Sequence, residues 1–67
     1  MAKIQLNGRN LKIEQKLSIK QLLGRYKLDE NKIAIELNGS ILSKAMFKKT
    51  FLKNKDKIEI VHFIGGG

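Results

Sequence analysis

The chain has 67 residues, of which 14 are Lys or Arg and 6 are Asp or Glu, a formal charge of +8, and it contains no cysteine. A chain this short buries too little surface to enclose a catalytic pocket of its own, its 42% hydrophobic content is too high for the disordered class, and the missing thiols exclude a disulfide staple, a thiolate metal site and a cysteine nucleophile. The basic excess excludes no partner by itself, because a positive field attracts nucleic acid, an anionic membrane or an acidic protein.

Lys3-Ile4-Gln5-Leu6 and Leu11-Lys12-Ile13-Glu14 alternate polar with apolar residues around Asn7-Gly8-Arg9-Asn10, the pattern of two half-buried strands and a turn. A two-residue turn at Gly8-Arg9 would pair Leu6 with Leu11 and Ile4 with Ile13, and a one-residue slip would send an apolar set to solvent. Ser18 then opens a helix. Its hydroxyl can cap a free N–H, Gln21 stands where a capping box needs it, and Leu17 can staple to Leu22. Ile19, Leu22, Leu23 and Tyr26 recur at the spacing of one buried stripe. Gly24 costs about 1 kcal/mol relative to Ala inside a helix, which implies either close packing or an end near Lys27.

Ile33, Ile35 and Leu37 alternate with Ala34 and Glu36 before a second Asn-Gly turn, Asn38-Gly39, and a short return through Ile41-Leu42. Residues 44–54 mix lysines with Met46, Phe47, Phe51 and Leu52 without a clean period, which reads as short turns or one helical turn. From Lys57 to Ile64 the chain is rich in β-branched and aromatic residues, a strand that stops at Gly65-Gly66-Gly67. The order is ββαβββ, and strands gathered around one helix give an α+β domain with the helix on one face of the sheet. The domain is expected over residues 1–64, with 65–67 as a flexible C-terminal glycine tail.

Six lysines lie between Lys44 and Lys57 beside Asp56 alone. With Phe47 and Phe51 interleaved they could stack bases and bind phosphates, the function of a small basic nucleic-acid-binding domain. Ordinary burial preferences favour Phe47, Phe51 and Leu52 as anchors of a connection, with the lysines in water, so nucleic acid is not the expected partner. The acidic residues form no clustered metal-ligand spacing, and no phosphate-loop or nucleophile-elbow pattern occurs, so no metal and no catalytic side chain is assigned. His62, the single histidine, reads as structural or as a surface residue. No basic leader precedes an apolar segment and no apolar run approaches the roughly eighteen residues of a membrane span, which gives the expectation of a cytoplasmic protein without membrane attachment.

Three glycines have no side chain to bury and lose the most entropy when ordered. Leaving a strand, they can reach about 10 Å at about 3.3 to 3.6 Å per residue, far enough to carry a carboxylate into a narrow channel of another protein. A terminal carboxylate, with a reference pKa of about 3.3 to 3.7, is ionised at neutral pH. It can attack a phosphoryl centre, but it accepts a nucleophile only after activation, for instance as an adenylate.

The stretches Ile4-Gln5-Leu6-Asn7-Gly8, Ile33-Ala34-Ile35-Glu36-Leu37-Asn38-Gly39 and, most specifically, Lys57-Ile58-Glu59-Ile60-Val61-His62-Phe63-Ile64-Gly65-Gly66-Gly67 carry a resemblance over essentially the whole chain. It resembles the sulfur carriers of thiamin biosynthesis, within the ubiquitin-like β-grasp family. The resemblance implies a mixed sheet wrapped around one helix, with the first and last strands parallel neighbours at its centre. It also implies a cycle in which an ATP-dependent adenylating enzyme, using ATP and magnesium of its own, activates the Gly67 carboxylate. A sulfurtransferase relay then makes the thiocarboxylate, and thiazole synthase receives the sulfur. In that cycle Gly67 bears the sulfur, Gly65 and Gly66 thread the partner's channel, and Val61, Phe63 and Ile64 dock; no cofactor stays bound to the carrier. The small subunit of molybdopterin synthase, which uses the same tail chemistry, is the competing relative.

Overall fold

Residues 1–63 are described by a computed structural model, and the last residue of the expected domain, Ile64, lies with Gly65, Gly66 and Gly67 outside the described residues. Strands β1 (Ala2–Leu6) and β2 (Arg9–Ile13), helix α1 (Ile19–Arg25), then β3 (Ile33–Leu37), β4 (Ser40–Leu42) and β5 (Lys57–His62) follow one another in the ββαβββ order. The sheet runs β2-β1-β5-β3-β4. Strands β1 and β5 are parallel and every other neighbouring pair is antiparallel, so the first and last strands meet at the centre of a mixed sheet.

Alternation divides the sheet into two faces. Ala2, Ile4, Ile13, Ile33, Ile35 and Ile58 point towards α1 and pack with its Ile19, Leu22 and Leu23. Lys3, Lys12, Glu36, Lys57, Glu59 and Val61 alternate with them on the other face and are exposed.

The first hairpin differs from the expected register. Leu6 stands opposite Arg9 and Ile4 opposite Leu11, while Ile13 pairs with Ala2. The loop is Asn7-Gly8, with φ of +50° and +81°. A two-residue turn that matches strand twist needs positive φ at both central residues, which Asn and Gly accept; a Gly8-Arg9 turn would force Arg9 into that region. The shift is by two residues, so Ile4 and Ile13 keep the helix side while their partners change. The second hairpin closes as expected at Asn38-Gly39, with φ of +53° and +86°.

Helix α1 starts with the full capping box. The Ser18 hydroxyl accepts from the Gln21 N–H at 3.0 Å, and Gln21 Oε1 accepts from the Ser18 N–H at 2.9 Å. Its end corrects the expected stripe, because Tyr26 is 47% exposed. The helix stops at Arg25, and Lys27 enters the left-handed region at φ +55°. The Leu28 N–H then donates to Leu23 O at 2.9 Å and the Lys27 N–H to Gly24 O at 3.2 Å, the two bonds of a Schellman stop. A Cβ on Gly24 would meet nothing within 4 Å, so the early end, and not close packing, goes with this glycine.

Between β4 and β5 the chain makes short turns, one of them a 3-10 turn at Lys44–Met46. Phe47 and Leu52 are buried anchors, as expected, but Phe51 is 52% exposed. The Ile19 N–H donates to Thr50 O and the Leu52 N–H to Leu17 O, with Ser18 and Phe51 bridged between them. This holds residues 50–52 extended against 17–19, and alternation turns Phe51 outward while Leu52 goes in.

Candidate functional site

The strand that leads to the glycines is held from both sides. On the β3 side the Asn38 N–H donates to Lys57 O at 2.8 Å, and Asn38 Oδ1 accepts from the Lys57 N–H at 2.8 Å. Asn38 Nδ2 also donates to Asp56 Oδ1, and Asp56 Oδ2 accepts from the Lys53 N–H, so the entry to β5 is tied to the turn before it. On the β1 side the Asn7 N–H donates to Ile58 O at 2.9 Å, and Asn7 Oδ1 accepts from the Ile60 N–H at 2.7 Å. The β1 ladder covers only Gln5↔Lys57 and Leu6↔Ile58, so the Asn7 side chain extends by one bond a ladder whose strand has already ended.

Beyond that point β5 stays anchored on β3. His62 stands opposite Ile33, Val61 opposite Ala34, and the Phe63 N–H donates to Lys32 O at 2.9 Å. The course of the chain as far as Phe63 is therefore set by backbone bonds.

The residues of β5 alternate between the two faces. Ile58 is fully buried and Ile60 half-buried on the helix side, while Val61 and Phe63 are each 60% exposed. Two apolar side chains thus stand in water at the end of the strand, a feature that marks contact surfaces when it is continuous. Ile64, Gly65, Gly66 and Gly67, the other expected site residues, lie outside the described residues. His62 is exposed, and among the described residues its ring has no hydrogen-bond or ion-pair partner.

Among the described residues no group of three or more His, Cys, Asp or Glu could hold a metal ion, and no helix is long and apolar enough to cross a membrane. The two asparagine clamps were missed by the sequence reading, which took Asn7 and Asn38 for turn formers only. A signal existed: Leu-Asn-Gly occurs twice, at residues 6–8 and 37–39.

Comparison with known proteins adds a second line of information. The model of the ThiS family matches residues 4–67. The sulfur carrier protein ThiS of Bacillus subtilis is 38% identical over 65 residues, covering 96% of this chain and 98% of that protein. A thiazole synthase of Paramagnetospirillum magneticum is 35% identical over 65 residues; these make up 97% of this chain but 20% of that protein. Among solved structures, the crystal structure of the thiamine biosynthesis protein ThiS from Geobacter metallireducens superposes with a TM-score of 0.82 at 29% identity, covering 97% of this chain and 99% of the other.

Proposed function

The chain belongs to the ThiS family of sulfur carriers in thiamine biosynthesis, and we propose that its carrying group is the carboxylate of Gly67. The observation that carries this reading is the extent of the family match, which runs through all three glycines to Gly67. In the first step one carboxylate oxygen attacks the α-phosphorus of ATP on a partner enzyme, pyrophosphate leaves, and an acyl adenylate forms. A persulfide of a sulfurtransferase relay then adds through its outer sulfur to the activated carbonyl and displaces AMP, and a second thiol of the relay cleaves the resulting acyl disulfide, which leaves a thiocarboxylate on the carrier and a disulfide on the relay. ATP and its magnesium belong to the partner. The absence of Cβ atoms at Gly65 and Gly66 suits a narrow channel, since only backbone has to pass.

Thiazole synthase is the acceptor in this reading. It is supported by the relative in which a segment similar to this chain is joined to thiazole synthase in one polypeptide. Val61 and Phe63, exposed at the end of an anchored strand, supply the apolar contact from which the tail enters the partner.

Intact-protein mass spectrometry after incubation with ATP, the adenylating enzyme and a sulfur donor is expected to show replacement of one oxygen by sulfur, located at Gly67. Deletion of Gly67 should abolish it, and transfer that survives the deletion would refute this assignment. Val61→Asp should weaken enzyme binding about tenfold or more while the circular dichroism spectrum stays native, because it puts a charge in an interface core.

A further inference from the structure

On the helix-free face of the sheet the charges are sorted in a way that does not serve the fold. Lys3 and Lys12 stand directly opposite each other across β1 and β2, and Glu36 and Glu59 directly opposite across β3 and β5. Opposite residues of an antiparallel pair have Cβ atoms about 5 Å apart, where like charges disfavour pairing and unlike charges favour it. Exchanging one lysine with one glutamate would turn two repulsive pairs into two attractive ones without changing the net charge.

The glutamates are distinctive in a second way. Of the six acidic residues, Glu14 pairs with Arg25, Glu30 with Lys20, Asp29 accepts from the Asn31 N–H, and Asp56 is held by Asn38 and Lys53. Of these six, only the carboxylates of Glu36 and Glu59 have no hydrogen bond or ion pair among the described residues, in a chain with fourteen Lys and Arg. Beside them the face carries Ile41, 82% exposed and opposite Glu36, and Val61. At the other end Lys3, Lys55 and Lys57 line a shallow cleft of about 310 Å³ together with Asp56, whose carboxylate is already taken up by Asn38 and the Lys53 N–H; the Lys55 N–H donates to Lys3 O and Asn54 Oδ1 accepts from the Lys3 N–H.

We propose that this face docks thiazole synthase in a fixed orientation by charge order: an acidic stretch of the enzyme lies over Lys3 and Lys12, and a Lys or Arg of the enzyme enters between Glu36 and Glu59, with apolar contact at Ile41 and Val61. The choice of occupant rests on the carrier reading given above. Segregated charge fixes the rotation of the carrier on its partner, and so aims the end of β5, whereas uniform positive charge would only attract. Lys57 and Glu59 lie two residues apart on β5 itself, so the boundary between the two signs crosses the strand that leads to the glycines.

The decisive variant is the swap Lys12→Glu with Glu59→Lys in the full chain, which keeps the formal charge at +8 and leaves opposite charges facing each other in both pairs. Its melting temperature should equal or exceed that of the parent. Its association rate with thiazole synthase should fall about tenfold at low salt, and the difference should shrink as ionic strength rises. An unchanged rate would overturn the proposal. So would a swap variant that loses binding to random oligonucleotides while holding thiazole synthase as the parent does, since the lysines would then serve nucleic acid. Sulfur loading of Gly67 by the adenylating enzyme at saturating concentration is measured in parallel. Parent and swap that both load, with only the swap failing on thiazole synthase, support the charge order; a parent that never loads sinks the carrier reading instead.

Discussion

Leu6-Asn7-Gly8 and Leu37-Asn38-Gly39 close the two hairpins with the same residues and nearly the same left-handed backbone, and both asparagines turn back onto β5. What they hold differs. Asn38 grips Lys57, where the strand begins, and is itself tied through Asp56 to the preceding turn, while Asn7 grips Ile60 with one side-chain bond after β1 has run out. The same tripeptide thus serves as a fixed post at the entry to the strand and as a single latch near its exit. The lighter of the two asparagine restraints therefore falls on the half of β5 nearer Phe63.

Replacing each asparagine by glycine keeps the left-handed turn and removes only the side-chain bonds, so it breaks the comparison cleanly. Asn38→Gly loses two bonds, one of them to a carboxylate, and should lower stability by about 2 kcal/mol, read from urea unfolding. Asn7→Gly loses one and should cost about 1 kcal/mol. The two should also separate by hydrogen exchange: Ile60 is expected to lose protection in Asn7→Gly alone, and Lys57 in Asn38→Gly alone. Equal losses at both positions would mean that the clamps do not act independently.

Gly8→Ala and Gly39→Ala sharpen the other half of the comparison, the likeness of the turns. Each glycine sits at positive φ with nothing within 4 Å of where a Cβ would stand, so the penalty is conformational and not steric crowding. Each substitution should cost about 1 kcal/mol, and the two costs should agree within a few tenths. A clear difference would show that one turn carries strain beyond its φ values.

Much of this architecture was legible in the residues. Ser18 and Gln21 marked the start of α1, Ile33, Ile35 and Leu37 marked β3, and the glycines with the strand before them pointed to the family. The misses share a cause. Tyr26 fits the helical period but follows the last residue of the helix, and Phe51 has an apolar side chain but lies where pairing with residues 17–19 turns it outward. Periodicity states which residues could face the core; tertiary hydrogen bonds decide where an element ends and which way it is rolled. The clamps were hidden for a related reason: the bond between the Asn7 side chain and the Ile60 N–H spans 53 residues, and the repeated Leu-Asn-Gly marks the two turns without naming the strand they reach.

The first hairpin offers the smallest effect on stability and the sharpest test of register. Its four-residue Asn-Gly-Arg-Asn segment admits two turns whose pairings differ by two residues and bury the same faces, so hydrophobic patterning cannot choose between them. Turn chemistry can, because Asn-Gly takes positive φ twice at little cost and Gly-Arg does not. In the observed register Gln5 faces Asn10 on the exposed side, whereas the alternative would bring Gln5 opposite Lys12. The chain has no cysteine of its own, so paired substitutions report cleanly. Gln5→Cys with Asn10→Cys should oxidise to a disulfide in the folded protein, since directly opposite residues lie within about 4.5 to 5.5 Å Cα to Cα. Gln5→Cys with Lys12→Cys stands on a diagonal of about 7 to 8 Å and should stay reduced under the same conditions. Neither pair touches the core, so the reduced forms should melt with the parent. Oxidation of the second pair in preference to the first would mean that the hairpin slips, and with it the position of Asn7 against Ile60.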